Sequence, residues 1–222
     1  FVQIPTTLLA QVDASVGGKL GIDFLQLKNG IGLFSNPQMV CLYPAFFKTL
    51  PFEQLRSGFA EVIKHALIAD SSYWQLISGI DIAQADWADI IQKSVSIKQS
   101  IVASDPTEKG RRKILNFGHT IGHALESLSW QTTVPLLHGE AVAIGLIAEA
   151  YISHRLLGLD QRVLTIVAQF IASIYPYYAV SNFSETAILA LIQQDKKKEN
   201  QYKAFSLVKA IGKASYNQHV ED

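Results

Sequence analysis

Arg112-Lys113-Ile114-Leu115-Asn116-Phe117-Gly118-His119-Thr120-Ile121-Gly122-His123-Ala124-Leu125 is the stretch on which the reading of this chain turns. Arg112, Asn116, His119 and His123 follow one another at spacings of four, three and four, which in a single helix sets four polar side chains along one face. Ile114, Leu115, Phe117, Ile121, Ala124 and Leu125 surround that stripe, so it is expected to face a largely buried cleft between helices. Gly118 and Gly122 lie beside the histidines, and a glycine inside a helix costs up to ~1 kcal/mol against alanine. Another group is therefore expected to approach the backbone closely there.

Further along, Pro135-Leu136-Leu137-His138-Gly139-Glu140 opens the next apolar helix. A carboxylate at Glu140 suits the positive end of a helix dipole, whereas His138 has no such local explanation. Two imidazoles four residues apart can share a divalent metal, as in His-Glu-x-x-His peptidases, but Thr120 stands where that motif needs its general base. A third histidine from the following helix suits a metal or phosphate site built between packed helices. Upstream, Glu61 and Lys64 in Ser57-Gly58-Phe59-Ala60-Glu61-Val62-Ile63-Lys64 are three apart, and spacing alone reads them as an exposed ion pair. A carboxylate with two imidazoles would instead make a three-ligand zinc site with one open position. His65, His154 and His219 are read as hydrogen-bonded core or surface residues. Near the start, Asp13-Ala14-Ser15-Val16-Gly17-Gly18-Lys19 and Lys28-Asn29-Gly30 lack the spacing of a P-loop.

The helical pattern extends on both sides. Apolar residues recur at three- and four-residue spacings through Phe52 to Ala69 and Trp87 to Ala103, and a break falls at Asp105, Pro106 and Gly110. Further helices are expected at about Lys113 to Trp130, Gly139 to Leu157, Leu164 to Ile174 and Glu185 to Gln194. Val2 to Ile4 and Met39 to Tyr43 read as short strands around a loop-rich segment holding Gly17, Gly18, Gly21, Gly30 and Gly32. Ala204 to Val208 and Lys213 to Tyr216 read as a small terminal hairpin. The fold class expected is mainly α, with short N-terminal strands and that hairpin.

The 222 residues, 49% of them hydrophobic, can bury a sizeable core. Nineteen basic residues balance nineteen acidic ones, so the overall charge of a nucleic-acid binder is absent and any anion site must be local. No apolar run reaches the ~18 to 20 residues that span a bilayer. Cys41, the only cysteine, excludes an internal disulfide or a multi-cysteine zinc site and is expected to be a small buried residue in a reducing compartment. The opening Phe1-Val2-Gln3-Ile4-Pro5 has no initiating methionine or secretory signal, and reads as a chain cut from a longer one.

Together these motifs resemble the 3-dehydroquinate synthase family. The resemblance is carried by Pro5-Thr6-Thr7, Asp13 to Lys19, Lys28-Asn29, Lys48-Thr49-Leu50-Pro51, Ala60 to Lys64, Leu115 to Ala124, Leu137 to Glu140 and Asp195-Lys196-Lys197, in order and spacing. The chain departs from the family pattern at Ala14, where serine is usual, at Leu27, where glycine is usual, and at His65-Ala66, often Tyr-Gly.

The resemblance implies the helical part of a two-domain α/β enzyme. Residues 1–50 would be a strand-and-loop segment completing a cofactor and substrate cleft, and residues 51–222 a helical metal- and substrate-binding domain, with the N-terminal nucleotide-binding domain lying outside the chain. It implies zinc, for which cobalt can substitute, on Glu61, His119 and His138, with His123 serving the substrate phosphate instead. It implies NAD contacts at Thr6, Thr7, Lys19, Lys28, Phe46 and Thr49. Lys98 and Arg112 match carboxylate binders; Lys19, Asn116, His123 and Lys197 match phosphate binders. Asp13, Asn29, Lys64 and Glu108 match groups that contact hydroxyls or handle protons.

The implied reaction is the cyclisation of a seven-carbon keto-sugar acid phosphate (DAHP) to 3-dehydroquinate with release of phosphate, in aromatic amino acid biosynthesis. NAD+ oxidises a ring hydroxyl and later takes the hydride back, so there is no net redox change. A cytoplasmic homodimer that binds neither nucleic acid nor membrane is implied, and this stretch alone is expected to be inactive. Other sugar phosphate cyclases, a zinc-dependent alcohol dehydrogenase of related fold, and a metal-stabilised helical interaction module are the competing readings.

Overall fold

Phe59, Ala60, Val62, Ile63 and Ala66 are all fully buried, and so are Glu61 and His65, which leaves the helix that carries them, α1 (Phe52–Ala69), with almost no exposed face beyond its first turn. A helix buried on every side belongs at the centre of a domain. In the computed structural model, which describes residues 1–24, 27–196 and 204–220, α1 is packed by α2 (Ser71–Ile77), α3 (Trp87–Ser104) and α5 (His138–Leu157). α5 also packs on α4 (His119–Ser129) and α6 (Gln161–Ile174), and α7 (Glu185–Lys196) packs on α4. Three aspartates cap helices: Asp70 accepts from Tyr73 N–H at 2.9 Å, Asp86 from Ala88 N–H at 3.1 Å and Asp160 from Arg162 N–H at 2.7 Å.

Ahead of α1, β1 (Val2–Gln3) pairs in parallel with β4 (Met39–Val40). The glycine-rich segment expected to be loop is largely an antiparallel pair, β2 (Lys19–Phe24) with β3 (Leu27–Phe34), in which Lys19 faces Phe34 and Gly21 faces Gly32. A tight helical turn, Ala10–Ala14, and a 3-10 turn, Pro44–Thr49, complete this part. At the other end β5 (Ala204–Ala210) and β6 (Lys213–His219) form the expected hairpin, tied to α1 by Gly212 N–H donating to Leu67 O at 2.8 Å. Among the described residues no helix is long and apolar enough to cross a membrane.

Two local expectations are overturned. The helix expected over Lys113 to Trp130 is broken: Arg111–Asn116 is a 3-10 turn, Gly118 has φ 81°, and α4 starts only at His119. The break is imposed by packing, because a Cβ on Gly118 would lie 2.7 Å from Leu146 Cδ2 of α5. That contact, with Gly122 against the Ala141 and Val142 backbone, is the close approach the glycines foretold. Cys41, expected buried, is exposed, since it follows β4 in a two-stranded pair that little else covers.

Candidate functional site

Three helices bring Glu61, His119 and His138 to one point. Glu61 is fully buried, and its Oε1 lies 3.2 Å from His119 Nε2 and 3.5 Å from His138 Nε2. His119 and His138 are each the first residue of their helices, α4 and α5. The start of α5 is clamped to α1 just after His138: Ser57 Oγ accepts from Gly139 N–H at 2.9 Å, and Arg56 pairs with Glu140 at 2.8 Å. Gly139 permits this, because a Cβ there would sit 1.8 Å from Ser57 O. Glu140 also accepts from Leu137 N–H at 3.1 Å, the dipole-side role expected of it.

Each ring lies between two acceptors: His119 Nδ1 is 3.2 Å from Phe117 O and His138 Nδ1 is 3.2 Å from Glu126 Oε2, while both Nε2 atoms face Glu61. With the hydrogen on Nδ1, where a carbonyl or an ionised carboxylate accepts it, each ring turns an Nε2 lone pair towards Glu61, the form a shared cation would require. Neither oxygen of Glu61 receives a well-directed hydrogen bond. Three electron-pair donors thus converge at 3.2 and 3.5 Å, close to the ~3.4 Å between neighbouring ligands of a tetrahedral ion with bonds of about 2.1 Å. That donor set fits a divalent cation. Burial lowers the His119 pKa, which favours the neutral, metal-binding form. His123, one turn along α4, has its ring centroid 5.1 Å from that of His119 and 5.8 Å from that of His138.

Glu61 and Lys64, expected to be an exposed pair, are both buried and in direct contact. Lys64 also reaches Asp13 Oδ1 at 3.5 Å, and Asp13 holds Lys98 at 2.7 Å, so charges alternate in a buried row from Glu61 to Lys98. Burial would push both carboxyls up, but Lys64 together with His119 holds Glu61 well below the ordinary range, and Lys98 and Lys64 do the same for Asp13. The two lysines diverge. Burial would lower Lys64, but Glu61 and Asp13 raise it above the ordinary value; burial lowers Lys98, and Asp13 offsets this only in part. Asp13, Glu61 and His65 also group their ligand atoms within 4.8 Å, yet the Lys64 ammonium already pairs with both carboxylates there.

A second polar group lies on the loop before α4. Glu108, at φ 59° in the left-handed region that costs a non-glycine residue about 1–3 kcal/mol, pairs with Lys19 and accepts from Asn116 Nδ2 at 3.0 Å. Lys19 is exposed, and its amine is pushed down to about 8 by partial burial and by the positive Arg112 and Lys98. Arg112 is buried; its amino groups donate to Pro106 O at 2.7 Å and Gly17 O at 2.8 Å, and its Nε–H has no partner.

The residues read as cofactor contacts are more scattered. Thr7 Oγ1 accepts from Ala10 N–H at 3.2 Å; Thr6 is exposed; Thr49 donates to Phe46 O at 3.3 Å; Phe46 packs edge-on against Tyr43. Lys28 and Asn29 lie on β3, with their side chains outside the described residues, and Lys197 lies outside them altogether. His65 is a hydrogen-bonded core residue, its Nδ1 3.0 Å from Ser94 Oγ and its Nε2 3.8 Å from Asp13 Oδ1, and His154 Nδ1 lies 2.6 Å from Leu159 O.

Two carboxylates escaped the sequence reading. Glu126 is the partner of His138, and Glu149 of α5, fully buried, accepts from Gly118 N–H at 2.7 Å and Ile121 N–H at 3.1 Å, supplying the cap that α4 lacks from its own residues. A lone carboxylate inside the apolar run Leu146-Ile147-Ala148-Glu149-Ala150 was the available signal.

The 3-dehydroquinate synthase N-terminal family matches residues 1–57, and the 3-dehydroquinate synthase C-terminal family matches residues 58–198. A 3-dehydroquinate synthase of Parabacteroides distasonis is 42% identical over 222 residues, covering 99% of this chain and 63% of the relative. Among solved structures, 2-epi-5-epi-valiolone synthase from Streptomyces hygroscopicus subsp. jinggangensis 5008, with NAD+ and Zn2+ bound, superposes with a TM-score of 0.86 at 26% identity, over 100% of this chain and 62% of that one. A 2-deoxy-scyllo-inosose synthase complexed with carbaglucose-6-phosphate, NAD+ and Co2+ gives 0.79 at 25% identity, over 98% and 62%. The chain thus spans less than two thirds of the length of the relatives it matches.

Proposed function

The chain belongs to the 3-dehydroquinate synthase family, and from that premise we propose that the protein carrying it cyclises the seven-carbon keto-sugar acid phosphate to 3-dehydroquinate with loss of phosphate, as a carbon–oxygen lyase. The observation that supports this most is the convergence of Glu61 Oε1 with two imidazole lone pairs, joined through Lys64 to Asp13 and Lys98. Glu61, His119 and His138 would hold zinc or cobalt, which supplies Lewis acidity towards substrate hydroxyl oxygens. The threonine hydroxyls of residues 6, 7 and 49, with Lys19, Lys28 and Phe46, would hold NAD, which supplies a hydride acceptor and donor.

The chain's own residues then position and polarise. Lys64, kept charged between Glu61 and Asp13, places a fixed positive charge beside substrate oxygens. Asp13, held anionic, orients both lysines and accepts hydrogen bonds from substrate hydroxyls; Asn29 shares the hydroxyl contacts. Lys98, with its lowered pKa, and the Nε–H of Arg112 are assigned to the substrate carboxylate. Lys19, Asn116, His123 and Lys197 are assigned to the phosphate, with Glu108 bridging Lys19 and Asn116. Residues 1–50 and 51–222 form the two parts of this arrangement, and a cytoplasmic homodimer is proposed for the complete protein.

Phosphate release by the full-length protein tests the reading. It is expected with the seven-carbon acid phosphate, to require both NAD+ and the metal, and to be absent with glucose 6-phosphate and with the 222-residue chain alone. Turnover of a neutral sugar phosphate instead would move the protein to another sugar phosphate cyclase, and accumulating NADH would make it a dehydrogenase.

A further inference from the structure

We infer that Glu126 is a positioning residue for the metal: it does not bind the ion, but fixes the tautomer and ring direction of His138 so that Nε2 presents its lone pair. The inference rests on the metal reading above. Glu126 lies seven residues after His119 on α4, two turns along the same face, and its side chain is largely buried. Its Oε2 meets His138 Nδ1 at 3.2 Å, while Nε2 of the same ring lies 3.5 Å from Glu61 Oε1. The imidazole is therefore strung between two carboxylates. As a neutral imidazole it can give its N–H to one of them, and the other must then share a cation with the remaining lone pair.

Without Glu126, the nearer energetic choice for a metal-free His138 is to place its proton on Nε2 and donate to Glu61, which blocks the coordinating atom. With Glu126, the proton stays on Nδ1, and an anionic acceptor behind the ring also raises the electron density of the coordinating nitrogen. His119 has a weaker arrangement of the same kind, since its Nδ1 meets only the neutral carbonyl of Phe117 at 3.2 Å. The two histidines thus differ in their support. His138, next to the Gly139 N–H that donates to Ser57 Oγ of α1, is the one whose Nδ1 faces a side chain and can be changed by substitution.

Zinc affinity of the 222-residue chain, measured by chelator competition, tests this with four proteins side by side: the parent chain, Glu126→Leu, Glu126→Gln and His138→Ala. Loss of an outer hydrogen-bond partner weakens metal binding by 10- to 100-fold, so Glu126→Leu is expected near the ~100-fold end. Glu126→Gln, which keeps the volume and one acceptor oxygen, is expected near tenfold. Cobalt-loaded Glu126→Gln should also show shifted visible absorption bands, which a purely structural role of residue 126 would leave in place. Should Glu126→Leu fail to fold, Glu126→Gln carries the test. Zinc binding by Glu126→Gln equal to the parent, with unshifted cobalt bands, overturns the role of Glu126 while a weakened His138→Ala leaves the metal site standing. A parent chain that binds no zinc, or a His138→Ala that binds as well as the parent, overturns the metal site itself.

Discussion

Glu61, His119 and His138 are carried by three helices clamped to one another, whereas Lys19 stands on a two-stranded pair, Phe46 and Thr49 on a 3-10 turn and Thr6 on the coil after β1. In the first region even the charges are buried, as Glu61 and Lys64 are. In the second, Ile22, Ile31, Leu33, Phe34 and Met39 all leave more than half of their surface exposed. The difference is one of preorganisation. In the proposed metal site a cation would meet ligands already fixed by the core, through Glu126 behind one histidine and Glu149 at the start of the helix bearing the other. In the proposed cofactor site a nucleotide would meet side chains that are not gathered around a common point by contacts among the described residues.

The largest expected consequence concerns charge. Lys64→Met leaves Glu61 buried without its ammonium, and removing one partner of a buried pair costs about 3–5 kcal/mol. Lys19→Met, in the exposed region, should cost at most about 1 kcal/mol. Denaturant unfolding of the zinc-free chain measures both, and equal losses would erase the contrast. Added zinc should recover more stability in Lys64→Met than in the parent, because the cation compensates the same carboxylate.

Next in size is the ligand set itself. His138→Ala should lower zinc affinity by more than the ~100-fold of an outer-partner change, and His123→Ala by much less. Equal losses would mean that His123 and His138 hold the ion alike, as in the grouping of His119, His123 and His138, and the Glu61 set would be wrong.

The smallest effect is a pH dependence. Burial lowers the folded-state pKa of both His65 and His119. As pH falls below the ordinary histidine value of about 6.5, the unfolded chain gains protons that the folded chain refuses, so stability drops. Asp13 and Glu61 have depressed folded pKa values, so their contribution is present above the ordinary carboxylate range of about 4 and is lost only below it. The zinc-free chain should therefore be less stable at pH 5 than at pH 7, and His65→Phe should flatten that slope. A stability that rises between pH 7 and pH 5 would contradict the buried, neutral histidines.

What could be read from sequence divides along the same line. The central helices were legible because α1 and α3 repeat their apolar residues at helical spacing, and the hairpin of β5 and β6 because its turn contains Gly212. The ligand set was legible only through motif resemblance. An i, i+3 spacing reports which residues are neighbours on a helix, but not whether that face meets water, so Glu61 and Lys64 read as a surface pair. The interruption at Phe117 and Gly118 was hidden because its cause, Leu146, lies on another helix. Glu126 was hidden for the same reason: what makes it more than a helix-surface carboxylate is the ring of His138, brought to it by the packing of α5 on α4.

The most direct measurement is anomalous scattering at the zinc edge from crystals of the zinc-loaded chain. The account predicts one peak, ~2.0 to 2.2 Å from Glu61, His119 and His138, with His123 outside bonding distance. A peak shared by His119, His123 and His138 without Glu61, a grouping whose ligand atoms lie within 4.8 Å of one another, would contradict it.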